Sequence, residues 1–547
     1  MIREFIEQLD KLPQKAFSNI VMADADKPII GIVAADSELS FADGALDEII
    51  AAVTNGIATA GGVAKVLHVP SIDTTALKCT AAAKYDLPSR DIVANSVELL
   101  CASDYFDSLV FVASEQNVVF GMLLAAIRLN IPCVFVCQGT MSPVRYGKAN
   151  NGYAFYYEQI AKIKFGKTPY ELASEIRANL PVATGTDCDR YGANSVNCLL
   201  EATGMAQKGN GTAPAHSVER LQISRKTGMA AVKSAEDKCT PRRILTRAML
   251  TNLVALDLAC GGSSTTMLNL CAVATELGVR NVNFKTIAEM AKSTPVLLTK
   301  EDVKDCLMPQ FHRAGGVYAM LKQLVDDKVI DSSVIVGEDV TLAQMLDGTV
   351  VRNNRVIRET AEAVNDSALL KVVKGNLAED GAFVHYKPDK TTFVGKAKVY
   401  NNEEMAVEAV LHKEIKPGDV VVIRSEGPKS CPGMREIYTT LALINAIGLA
   451  DKVAVITDGR IADIYNGIAV GHITPEFGNQ TAFSVLRDGD NIEINIEKTR
   501  IACDINSKEL LLRLRAADLT SANFGGRYLK KWSSECSSSL DGCVSKK

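Results

Sequence analysis

The stretch that most constrains this chain is residues 421–436, VVIRSEGPKSCPGMRE. A β-branched run at 420–423 predicts a strand covered on both faces. Glu426-Gly427-Pro428-Lys429 and Pro432-Gly433 then break the chain into a stiff loop, and a helical pattern resumes at Met434. A strand, a glycine-rich loop and a helix start can bring backbone N–H groups and a helix dipole to an anionic ligand. The same pattern also suits a tight turn that binds nothing.

Strands alternate with helices through the first third of the chain. Residues 27–34, 66–72, 109–113 and 132–137 read as strands, and 45–57, 89–101 and 118–129 as helices. This alternation predicts a parallel sheet covered on both faces. Helical patterns dominate from 242 to 329, and polar residues 352–365 mark a boundary. Beyond it, 381–399 and 491–501 alternate like antiparallel strands, with helices only at 403–411 and 434–449. The fold class expected is therefore α/β: an N-terminal parallel-sheet domain with many helices (1–365) and a C-terminal β-rich domain (366–547). The serine-rich tail has little to pack and reads as a loose end.

Composition is that of an ordinary soluble protein, with 47% apolar and 23% charged residues. A net charge of −4 without a basic block gives no reason to expect nucleic acid or an anionic membrane surface. The N-terminus reads as an amphipathic helix, not a signal peptide, and the longest apolar stretch, 121–137, is broken by Arg128, Asn130 and Pro132. A cytoplasmic protein is expected. Its fourteen scattered cysteines contain no CxxC pair, so most should be packed thiols.

Residues 421–436 resemble the signature of the dihydroxy-acid dehydratase and phosphogluconate dehydratase family. So do KPIIGI from Lys27, KYDLPSRDIVANSVE from Lys84, YGANSVNCLLEATGMA from Tyr191, HRAGG from His312, TDGR from Thr457 and GHITPEF from Gly471. The resemblance implies an α/β domain joined to a β-rich swivelling domain, an active site between them, and a homodimer. It also implies a lyase removing water from hydroxy acids. Three cysteines would hold an iron–sulfur cluster, Mg²⁺ would hold the substrate, and a serine would take the proton.

Aligned on those matches, the chain departs from the pattern. The cysteine positions fall near Ala42 and on Glu115 and Asp187. Three magnesium positions fall on Thr74, Gln116 and Asn117, and the serine base on Ala462. Glu436 keeps its place. Carboxylates are hard ligands unsuited to a cluster's iron, and alanine accepts no proton. The expectation is a divergent lyase acting on a small hydroxy acid without the usual cluster.

Its candidate catalytic residues are Glu115, Asp187, Glu436 and His472, with Asp463 a further carboxylate nearby. Ser425, Lys429 and Cys431 would bind substrate. A divalent cation such as Mg²⁺ would use Glu436, Asp187 and Cys188. Two alternatives stand beside this: a non-catalytic binding or regulatory homologue, or a cluster re-sited on Cys79, Cys137, Cys188 and Cys431. A plainer account has Glu115 and Asp187 paired with cations such as Lys78 or Arg190.

Overall fold

The computed structural model describes residues 27–40, 44–102, 105–146, 149–174, 185–189, 192–279, 282–298, 306–337, 340–429, 432–519 and 526–545. The N-terminal helix pattern, Ala42, Arg190 and Cys431 lie outside these residues.

The first sheet is fully parallel. Its strands are β1 (Ile29–Asp36), β2 (Val63–Pro70), β3 (Ser108–Val112) and β4 (Cys133–Val136), in the order β2-β1-β3-β4. Register pairs Ile32 with Val66 on one side and with Val110 on the other. Successive side chains point to opposite faces, so each strand feeds two cores. Ile30, Ile32, Val110, Val112 and Val134 pack under helices Leu46–Thr59 and Val218–Asp237. Val33, Leu109, Phe111 and Phe135 face the larger core, shared with helices Gln116–Leu129, Arg247–Ala259 and Ser264–Leu277. Residues 114–117, where β3 gives way to the helix Gln116–Leu129, thus lie at the carboxyl edge of a parallel sheet, where ligands of such sheets bind.

The C-terminal part closes into a barrel of eight strands: β5 (Leu370–Gly375), β6 (Ala378–His385), β7 (Thr392–Tyr400), β8 (Asp419–Ile423), β9 (Ala454–Thr457), β10 (Ala469–Thr474), β11 (Asn491–Asn495) and β12 (Arg500–Cys503). Around the barrel the order is β6-β10-β9-β8-β7-β11-β12-β5. Antiparallel pairing holds only for β5–β6, β6–β10, β7–β11 and β11–β12. Residues 381–385, 392–396, 491–495 and 500–501 lie in antiparallel pairs, as their alternation predicts, while β7, β8, β9 and β10 pair in parallel. The cause is local: helices Glu403–Leu411 and Thr439–Ile447 carry the chain over between β7, β8 and β9.

Two expectations are overturned. The helix predicted from Met434 starts only at Thr439, because Glu436–Ile437 is a short strand paired with Arg460–Ile461. The tail is not loose. Trp532, Cys536, Cys543 and Val544 are buried, and Trp532 Nε1 donates to Asp91 Oδ2 at 2.8 Å. Small serines and cysteines fit a narrow groove over helix Asp86–Cys101, where Arg90, fully buried, donates to the Cys543 carbonyl at 2.6 Å. Among the described residues no helix is long and apolar enough to cross a membrane.

Candidate functional site

The loop after β8 meets the first domain through a glycine. Gly433 has φ of 116°, and a Cβ there would overlap the Lys84 carbonyl oxygen. Only glycine permits both the conformation and the approach. This contact brings 434–438 against the segment 73–90, and the candidate site forms along that seam.

Lys78 stands at its centre. Its ammonium lies 3.7 Å from Glu436 Oε2 and 4.7 Å from the centre of the Tyr438 ring. Burial pushes its pKa down, but the carboxylates of Glu436, Asp86, Glu115 and Asp187 outweigh this and hold it above the ordinary lysine value. Lys78 is therefore a cation at neutral pH, about a third exposed to the cleft. The plainer account of Glu115 and Asp187, pairing with a nearby cation, fits this arrangement.

Each carboxylate has a further anchor. Thr74 Oγ1 donates to Glu115 Oε2 at 2.5 Å, and Glu115 is the N-cap residue of helix Gln116–Leu129 without capping it. Asp187 packs so closely on Gly152 that any side chain there would collide with it. Asp86 takes Arg460 Nη2 at 2.5 Å and Asn117 Nδ2 at 2.7 Å. Asn117 in turn accepts from Asn269, which accepts from Arg90. Gln116 is held by Thr266 at 3.0 Å. A buried polar chain thus runs from Arg460 of the barrel domain to Arg90 under the tail.

Lys78 is paired with Glu436 and feels the charges of Glu115 and Asp187, while other candidates lie elsewhere. His472, proposed as catalytic, is fully buried against Phe383, its ring nitrogens lacking a hydrogen-bond partner among the described residues. Burial, then the charge of Arg460, pushes its pKa down to about 3, so it stays neutral and cannot trade protons with a ligand in the cleft near neutral pH.

Cys188, proposed as a metal ligand, is bonded to Cys306 within an apolar cluster with Met141. A sulfur in a disulfide is no thiolate, which also counts against the re-sited cluster. Of its other members, Cys137 donates to the Asn210 carbonyl at 2.9 Å, and burial raises the pKa of both Cys137 and the exposed Cys79. Among the described residues no three His, Cys, Asp or Glu side chains gather to hold a metal ion.

Ser425 is buried with φ of 65°, and Lys429 is exposed. Beneath them lies a second set of acids. Asp458 accepts from the backbone N–H of Glu426 and of Phe477, both at 3.0 Å, and Glu426 accepts from Glu403 N at 2.8 Å. Glu403 is paired with Arg435 at 2.8 Å. Burial pushes Glu426 and Glu476 up to about 7 and Asp458 to about 6. The helix after this loop starts five residues later than Met434, at Thr439.

Sequence reasoning missed Asp86 as a site residue and gave Lys78 only as a counter-charge. Asp86 had one visible signal, an acid in the first turn of a helix within KYDLPSR, but its cation lies 374 residues away.

A parallel sheet joined to a closed barrel, with charged loops of both meeting at the seam, defines a two-domain α/β protein with a polar cleft at its junction. The profile of the dihydroxy-acid/6-phosphogluconate dehydratase N-terminal domain matches residues 27–345, and that of the C-terminal domain matches 355–543. Among relatives, the chain is 34% identical to a dihydroxy-acid dehydratase of Moorella thermoacetica over 95% of both proteins. It is 33% identical to one of Pyrococcus furiosus, again over 95% of both. The identity is 35% to one of Desulfitobacterium hafniense, over 92% of this chain and 90% of that protein. The chain belongs to the dihydroxy-acid/6-phosphogluconate dehydratase family.

Proposed function

We propose that this protein is a divergent hydro-lyase of its family that acts on a small hydroxy acid at the Lys78 seam, without the usual iron–sulfur cluster. The observation that carries this reading is Lys78 itself, an ammonium set among Glu436, Asp86, Glu115 and Asp187. The donors around it are carboxylate oxygens, which do not suit cluster iron, and Cys188, the thiol beside Asp187, is spent on Cys306. No step is therefore routed through a cluster, and a hard divalent cation such as Mg²⁺, held at most through Glu436 and Asp187, is left to the metal assay.

In this proposal the residues divide the work of an elimination. One carboxylate, Glu436 or Glu115, accepts the C2 proton. The electron pair left behind forms the C2–C3 double bond as the C3–O bond breaks, and Lys78 supplies the proton that makes the leaving hydroxyl water. The resulting enol becomes the keto acid. A homodimer is part of the proposal, by family resemblance.

The test combines two measurements. Iron, sulfide and divalent-metal analysis of anaerobically purified protein should find no stoichiometric cluster. Sugar acids and branched-chain dihydroxy acids are then screened for keto-acid formation. Glu436→Gln should abolish any turnover found. A brown protein with stoichiometric iron and sulfide would refute the reading.

A second reading is favoured by the partners that three of the acids already have, Thr74 for Glu115, Arg460 for Asp86 and Lys78 for Glu436. Such a held site suits a binding or regulatory homologue. Saturable binding of a hydroxy acid with no turnover would select it.

A further inference from the structure

A cavity of about 520 Å³ opens on the N-terminal domain, lined by residues that the proposed elimination does not use. It lies between loop 203–216, helix Val218–Asp237, helix Leu307–Ala314 and the turn 346–352. Its size is that of a small-molecule site.

The floor of this cavity is fixed by buried charge. Glu201 is 1% exposed and accepts from Gly209 N at 2.9 Å and Gly211 N at 3.0 Å. Arg220, fully buried, donates to the carbonyls of Asn210 at 2.8 Å and Ala213 at 2.7 Å. Burial pushes Glu201 up to about 7, and its hydrogen bonds together with those of Arg220 hold residues 209–213 in one shape. On the wall, His312 lies between Thr212 Oγ1 at 2.8 Å and Glu219 Oε2 at 3.1 Å. The carboxylates lining the cavity are therefore already engaged.

Its cations are not. Lys208 comes from the loop, Lys226 from helix Val218–Asp237 and Arg352 from the turn, and none forms an ion pair among the described residues. Lys208 lies over the Tyr318 ring, 5.0 Å away, and its charge also reaches the buried Glu201 without forming an ion pair with it. Three like charges converging on a concave surface raise its potential and favour an anion there. Helix Gly316–Asp326 also begins beside the cavity, at Gly315, with no side chain capping it, so its positive end adds to the field.

We propose that this cavity is a second ligand site, which takes a small multivalent oxyanion through Lys208, Lys226 and Arg352. Arginine and lysine together suit a phosphate-bearing or multiply carboxylated metabolite, since both charge and forked hydrogen bonding can be satisfied. The site lies apart from the Lys78 seam and does not depend on any activity there.

Titration calorimetry of the full chain at low salt tests this, with pyrophosphate and citrate as the probes. One equivalent of at least one probe should bind saturably, and the tighter of the two identifies the source chemistry. The triple variant K208A/K226A/R352A, whose residues are all exposed, should bind it at least about tenfold more weakly. Lys292→Ala, a lysine paired outside the cavity with Glu289, should bind as the parent does. Thermal unfolding of the triple variant checks that it is folded. No saturable heat with either probe, or equal affinity in a folded triple variant, would overturn the proposal.

Discussion

Two groups of acids sit within a few residues of the segments that carry the family resemblance, and their surroundings differ. At the seam, Asp86 meets Arg460 and Asn117, and Glu436 meets Lys78. Under the signature loop, Asp458 meets backbone N–H groups, and Glu426 a backbone N–H with the charges of Lys84 and Arg435 too weak to offset its burial. The first group is matched by charge, the second mainly by backbone hydrogen bonds, and burial drives the pKa values of Glu426 and Asp458 up. The second group holds loops in place. Residues such as Glu426 and Asp458 can therefore belong to a motif for architectural reasons.

The sharpest way to break the contrast is to remove one partner of a matched pair. Asp86→Ala would strand Arg460, 1% exposed, without its counter-charge. A loss on the order of 3–5 kcal/mol is expected, read by urea unfolding. A loss below 1 kcal/mol would show that the seam is not held by this pair.

The hydrogen-bonded group should respond to pH instead. A carboxylate whose folded pKa is raised keeps a proton that the unfolded chain has lost. Its stabilising effect is complete below the unfolded value and disappears as pH rises through the folded one. For Glu426 that window runs from about 4.5 to about 7. Glu426→Gln should therefore gain stability relative to the parent between pH 5 and 8, by roughly 3 kcal/mol. The difference between the two proteins also excludes the opposing effect of His472 and His385, whose lowered pKa values, to about 3 and about 4, cost stability as pH falls below the ordinary histidine value. A parent–variant difference that is flat across this range would show that Glu426 is already ionised.

The smallest effect is expected where a buried polar ring has no hydrogen-bond partner among the described residues. His472→Leu removes no hydrogen bond seen in the structure, so its cost should stay within about 1 kcal/mol despite full burial. A much larger loss would reveal a partner for the ring.

Much of the local structure was legible because apolar spacing is a local signal. Helix Glu403–Leu411 and strand Asp419–Ile423 follow directly from their patterns. The helix at Met434 failed because Glu436 and Ile437 are recruited by Arg460 and Ile461, a pairing between distant segments. Barrel closure was hidden for the same reason, since β12 meets β5 across more than a hundred residues. At the candidate site, Glu115 and Asp187 were named from their places in the sequence, whereas Lys78 and Asp86 gain their meaning only from charges brought in by folding. His472 looked reactive in a motif; its burial behind Phe383 could not be read there.

The bond from Arg90 to the Cys543 carbonyl has a consequence for synthesis. The two residues are 453 apart, so at roughly 5–20 residues per second the arginine waits on the order of half a minute or more for its acceptor to emerge from the ribosome. Until then the Arg90 guanidinium in its groove has only Asn269 and Asp91 for partners, and Trp532, which bonds to Asp91, has yet to arrive. The domain made first is finished last, and a chain released a few residues early would leave that groove open.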